Sequence, residues 1–255
     1  MWLRRFLIRL ALELQVPPFT WVATAYYHLA ARAVVRRVRR VAGVRAIYLS
    51  GSGARHDVIA GLSDVDFKIF VDGHADPARY EAIRRRFERL RRWFPMLGPP
   101  DEKGIYFLDG FAADYAHYPL IQHLFDERFY RHRLLWGEDV MASLPMTPRA
   151  NLDDHALCFW TLKDWTEKVS LLAGSARITR VQKHYLFYKA CCDVGLMWLG
   201  LRGQADALDS RAAVMAQLAR SLGPEDAAWV SALILERECR WRRFVTDPDA
   251  SYLAF

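Results

Sequence analysis

Between Ile47 and Val71 the chain reads IYLSGSGARHDVIAGLSDVDFKIFV, and the reading of the fold starts there. An apolar run, Ile47-Tyr48-Leu49, stops at Gly51-Ser52-Gly53, and a second run, Val65 to Val71, carries Asp64 and Asp66 at its entrance. Short apolar runs bounded by glycine predict strand, turn, short helix or loop, then strand. Carboxylates two positions apart on a strand project from one face. Like charges that close repel unless a cation sits between them, and hard oxygen ligands suit Mg²⁺. The glycine turn would offer backbone N–H groups and the Ser52 hydroxyl to anionic oxygens. The stretch therefore predicts a phosphate cradle (Gly51, Ser52, Gly53) beside a divalent-metal pair (Asp64, Asp66). Phosphoryl or nucleotidyl transfer needs both.

Gly51-Ser52, eleven intervening residues, and Asp64-Val65-Asp66 stand between two apolar strands, about a tenth of the chain. In this the chain resembles the nucleotidyltransferase superfamily that includes DNA polymerase beta and the aminoglycoside adenylyltransferases. The resemblance implies an α+β protein: a small mixed-sheet nucleotidyltransferase domain with N-terminal helices and a C-terminal helical bundle. It implies Mg²⁺ held by Asp64 and Asp66, and a nucleoside triphosphate, ATP by expectation, whose β- and γ-phosphates rest on Gly51, Ser52 and Gly53. Arg55 sits where many members carry a basic residue, suited to charge on departing pyrophosphate. An acceptor hydroxyl would attack the α-phosphorus in line. Members usually carry a third acid on the strand after the next helix. That strand is expected at Gly104–Leu108 and has no acid inside it, so Asp109 at its end is the catalytic candidate and Asp114 a weaker one. Asp109 could equally begin the Asp109-Gly110 turn or cap the following helix. Taken alone, Gly51–Gly53 is also compatible with a tight turn, and the two acids with a solvated strand entry.

At 255 residues the chain suffices for one large domain or two modest ones. The composition, 53% hydrophobic and 25% charged, is globular, with no internal repeat or low-complexity tract. A net charge of +7, mostly arginine, favours anionic partners without choosing among nucleotide, nucleic acid and membrane surface. Cys158, Cys191, Cys192 and Cys239 show no metal-ligand spacing, and free thiols in a reducing compartment are expected. The stretch Phe6–Leu14 is interrupted by Arg9 and Glu13, no signal peptide is recognisable, and no run reaches membrane-spanning length without a charge. A cytoplasmic protein is the expectation.

Taken in order, residues 1–44 form an N-terminal helical extension: an amphipathic helix over 1–14, Pro17-Pro18, then a helix from Thr20 to Val41 that closes on Arg36, Arg37, Arg39 and Arg40. Packing on the next domain is favoured over a membrane-surface arm. Residues 45–140 form the nucleotidyltransferase domain, with a basic helix from Pro77 to Trp93, the third strand, and a helix on to Trp136. Leu134–Val140 marks its exit, where Glu138 and Asp139 read as caps or solvated turn residues. Residues 150–247 carry four helical patterns, for which an antiparallel bundle is expected. Asp164 and Glu167 there are candidate general bases, and Lys183 and Lys189 candidate triphosphate contacts.

Length and a single helical partner domain suit a small-molecule hydroxyl acceptor; the basic charge suits an RNA 3′ end. A rival class is a non-catalytic nucleotide- or RNA-binding relative with an incomplete metal site. A third is a membrane-surface adaptor that uses the N-terminal arginine helices.

Overall fold

The computed structural model describes residues 19–54, 58, 63–98, 104–118, 121–122, 125, 131–144, 162–167, 180–202, 204, 211–228 and 230. The chain is α+β and divides into two compact units, one spanning Val16–Leu152 and a second that includes Asp153–Phe255. The first runs α1 (Phe19–Val38), β1 (Val44–Ser50), β2 (Asp66–Val71), α2 (Pro77–Arg91), β3 (Ile105–Phe107), α3 (Leu108–His117), β4 (His132–Gly137) and α4 (Val140–Ser143). Its strands make a four-stranded mixed sheet in the order β3-β2-β1-β4. Both β2 and β4 run antiparallel to β1, and β3 runs parallel to β2.

The period-2 pattern of β2 sorts its side chains between two cores. Val65, Phe67, Ile69 and Val71 face one way, against Ile47 and Leu49 of β1, Ile83 and Phe87 of α2, and Val34 and Val38 of α1. Phe70 faces the other way with Tyr48, Tyr106, Phe111 and Phe125. Burial on both faces explains why β2 reads as an almost unbroken apolar run. On the second face the rings meet edge-on or tilted, Phe70 to Phe111 at 5.3 Å and Tyr106 to Phe125 at 4.9 Å between centroids. Such pairs add roughly 1 kcal/mol each beyond their area.

Helix α1 begins one residue before the expected Thr20 and shares the sheet's core. Ala30, Val34 and Val38, spaced four apart, and Ala31 beside them are buried against the strands, so packing draws the unit's edge at Val16 rather than at residue 44. Helix α2 starts where its sequence says: Asp76 accepts from the N–H groups of Ala78 (2.8 Å) and Arg79 (3.4 Å), and Pro77 occupies the first turn. Its arginines occupy an outer face. Glu81 binds Arg84 and Arg85, whose guanidiniums hold its carboxyl down at about 2.

The helix expected to run on to Trp136 is not there in that form. Helix α3 ends at His117, and Trp136 lies on β4, which pairs along β1 from Ser50↔His132 to Ala46↔Gly137. The tertiary edge of β1, not local propensity, makes this a strand. Gly137 is required there: its φ is +92, and a Cβ would stand 1.9 Å from the Arg45 carbonyl oxygen. The third strand is shorter than expected, because Leu108 already opens α3. Glu138 pairs with Arg45, and Asp139 caps α4, accepting from the Ala142 N–H and from the Tyr48 hydroxyl at 2.8 Å.

In the second unit α5 (Arg180–Leu201) and α6 (Arg211–Ser221) occupy expected helical stretches, as do helical residues at 162–167 and 224–228. The two helices approach closely at Gly195, where a Cβ would meet Leu218 at 2.8 Å. Trp165 donates its indole N–H to Asp193 at 2.9 Å. Burial pushes the Cys191 thiol up to about 12, and Cys192 beside it is buried. Cys158, Cys239 and the helix expected over 1–14 lie outside the described residues. Among the described residues no helix is long and apolar enough to cross a membrane.

Candidate functional site

Strand β1 ends at Ser50 and the chain turns at once. Gly51 has φ +63, a left-handed conformation that costs other residues ~1–2 kcal/mol. The turn closes through the Ala54 N–H on the Gly51 carbonyl at 3.1 Å. The Gly51 N–H itself donates to the Arg131 carbonyl at 3.1 Å, so that donor ties the turn to the segment entering β4 instead of facing an anion. Ser52 is buried, and Gly53 packs onto Leu49, where a Cβ would lie 3.1 Å from its side chain. The expected cradle is thus a compact turn with one of its N–H groups committed. Arg55 lies outside the described residues.

The acids stand beside this turn. Asp66 opens β2 directly opposite Ser50 in the β1–β2 register. Its carboxylate lies between two glycine backbones: a Cβ on Gly51 would be 3.5 Å from Oδ2, and one on Gly98 would press to 3.1 Å of Oδ1. Val65, between the acids, points into the opposite core. Its N–H donates to the Met96 carbonyl at 2.9 Å and its carbonyl accepts from Gly98 at 3.3 Å, fixing the strand entrance. Asp64 is exposed and Asp66 half-buried. From the far side of the sheet the Tyr27 hydroxyl donates to the Ser63 carbonyl at 2.7 Å, bracing the residue before Asp64.

Asp109 does not join them. It sits in the first turn of α3, its N–H on the Gly73 carbonyl at 3.3 Å and its Oδ2 3.5 Å from His74 Nε2. Seven residues of chain at roughly 3.3 Å each separate Asp66 from Gly73, so the two acids are on the order of 20 Å apart. The metal-site role expected for Asp109 is therefore corrected: it belongs to the opposite end of the sheet. Asp114, also on α3, is exposed. Among the described residues no three His, Cys, Asp or Glu side chains group so as to hold a metal.

Two further residues share the face of Asp66. Lys68 is next on that side of β2 and only 4% exposed. Its Nζ donates to the Tyr106 hydroxyl at 3.1 Å and lies 5.3 Å from the ring centroids of Tyr106 and Phe125. On β4, His132 pairs with Ser50 and stacks on Phe125 at 5.4 Å, so His132, Ser50 and Asp66 form a row across three strands. Among the described residues the buried polar side chains are Ser50, Ser52, Ser63 and Lys68. Ser50 ends β1, Ser52 lies in the turn, Ser63 precedes Asp64 and Lys68 lies on β2. No protein-family model and no curated protein matches the chain.

A signal for Lys68 was in the sequence: a lone lysine inside an apolar run of strand length is a polar group that needs a partner wherever the strand is buried. Nothing local marks His132, whose place depends on β4 pairing, or Gly98, which reads as a loop glycine. Of the candidates in the second unit, Asp164 and Lys189 are half-buried, and Glu167 is exposed and pairs with Lys163 at 3.7 Å. The Lys183 side chain lies outside the described residues.

Proposed function

We propose that the chain is a Mg²⁺-dependent nucleotidyltransferase that moves a nucleoside monophosphate from a nucleoside triphosphate, ATP first among them, to a hydroxyl of a small molecule. One observation carries this: Asp66 stands opposite Ser50 with its carboxylate against Gly51, which brings the acidic pair and the glycine turn to one end of one sheet. Mg²⁺ is commonly held by one or two carboxylates, the rest of its octahedron being water and substrate phosphate oxygens. Asp64 and Asp66, two positions apart at the entrance of β2 with Asp64 open to solvent, fit that donor set. Bound there, the cation would supply Lewis-acid stabilisation of the charge that develops on phosphate oxygens. The chain's own residues would do the rest. Gly51 lets the backbone turn without a side chain in front of Asp66, Gly98 leaves Oδ1 uncrowded, and Lys68 places its amino group on the same face.

The test is pyrophosphate release from ATP, with Mg²⁺ or with EDTA, against a panel of polyhydroxylated small molecules and an RNA with a free 3′ end. Mg²⁺-dependent release that needs a small-molecule acceptor and disappears in Asp64→Asn supports the proposal. Release that needs RNA replaces the acceptor class. A second reading is favoured by the remoteness of Asp109: a nucleotide-binding relative that does not turn over. It predicts Mg²⁺-dependent ATP binding with no pyrophosphate under any acceptor.

A further inference from the structure

The outer face of α1 carries a second feature, independent of the nucleotide reading. Trp21, Ala25, Leu29, Arg32 and Arg36 repeat at intervals of four, four, three and four, which places them on one stripe, and all are exposed. Trp21 is 69% exposed, Val22 beside it 66% and Leu29 55%. Trp93, just beyond α2, is 76% exposed and flanks the apolar half of the stripe. Tyr26 donates its hydroxyl to the Trp93 carbonyl, and its ring lies 5.3 Å from that of Phe94. Among the described residues neither Arg32 nor Arg36 has a carboxylate partner, whereas Arg79, Arg84 and Arg85 do. The stripe is apolar and aromatic in its first half and cationic in its second. The opposite side of α1 is fully committed to the core through Ala30, Val34 and Val38.

We infer that this face docks the protein on an anionic lipid surface. A face meant only for water has no use for two exposed indoles and two aliphatic side chains in one patch. A protein interface surrounds an apolar centre with a polar rim, whereas here the apolar side chains hold one end of the stripe and the guanidiniums the other. Nucleic acid would take the arginines and stack on the indoles, yet it has nothing to gain from Val22 and Leu29. An anionic bilayer uses every part: indoles settle at headgroup level, aliphatic side chains reach the acyl boundary, and guanidiniums bind lipid phosphates. With its inner side packed on the sheet, α1 lies in the interface plane and goes no deeper. The Tyr27 hydroxyl on the Ser63 carbonyl ties the same helix to the strand entrance that bears Asp64.

The experiment is vesicle co-sedimentation of the full chain, with near-ultraviolet circular dichroism to establish that each variant is folded. Wild type is expected to pellet with phosphatidylcholine vesicles containing phosphatidylglycerol, to stay in solution with pure phosphatidylcholine, and to be released by high salt. Arg32→Glu with Arg36→Glu, and separately Trp21→Ser with Leu29→Ser, should each weaken partitioning on the order of tenfold or more, since a single basic charge near an anionic leaflet already counts for about fivefold. Binding that is unchanged in both double variants, or no binding to anionic vesicles, overturns the inference. So does single-stranded RNA binding that is lost with the arginines and indifferent to Trp21 and Leu29, which assigns the face to nucleic acid. A wild-type dimer that becomes monomeric in the Trp21/Leu29 variant also overturns it, by assigning the face to a second copy.

Discussion

Asp64→Asn should reverse the sign of its effect on stability when Mg²⁺ is added. Asp64 and Asp66 are two positions apart in the chain, ~7 Å at an extended rise of about 3.3 Å per residue. With Asp64 exposed, a water-like dielectric applies, and two like charges at that distance repel by roughly 0.6 kcal/mol. Removing one should raise the melting temperature in EDTA by about 1–2 °C. With Mg²⁺ and a nonhydrolysable ATP analogue at about a hundred times their dissociation constant, wild type gains about 2.7 kcal/mol, roughly 5–10 °C for a unit of this size. The variant should lose most of that gain. In scanning calorimetry the variant therefore melts above wild type in EDTA and below it with cation and nucleotide. Asp66→Asn should also lose the gain. Parallel shifts in wild type and Asp64→Asn would refute the metal-site assignment.

Gly51→Val forces a β-branched residue to φ +63 in front of Asp66, so it should cost ~2 kcal/mol by denaturant unfolding and weaken ATP binding at least tenfold by calorimetric titration. Lys68→Met keeps the volume but removes the amino group on the face of Asp66; it should tighten Mn²⁺ binding, read by electron paramagnetic resonance, by about fivefold, or about 1 kcal/mol, whereas a lysine that merely packs would leave it unchanged. Tyr48→Phe removes the hydroxyl that bridges Asp139 and the Met141 N–H, and should cost about 1–2 kcal/mol. Burial pushes the Tyr48 phenol up to about 12, above its ordinary value near 10, so the stability it contributes is whole below pH 10 and lost as pH rises toward 12. Thermal melts should show that alkaline loss in wild type and a smaller one in Tyr48→Phe.

Several features could be read from the sequence because their causes are local. The glycine turn follows from a left-handed backbone at Gly51, and the start of α2 from Asp76 and Pro77. The α+β class is what the family resemblance implied, and apolar runs of strand length among longer helical patterns agree with it. Long-range pairing decided the rest. His132–Gly137 is a strand because β1 offers it an open edge, and its glycine lets the two backbones close. Lys68 became part of the site when Tyr106 and Phe125, distant in sequence, closed over it. Asp109 follows β3 in the chain, and order alone could place it at either end of the sheet. Because β3 runs parallel to β2, its end coincides with the end of β2, at Gly73 and His74, while Asp64 and Asp66 guard the beginning. A strand's direction is set by the crossover that delivers it, which no local pattern of side chains records.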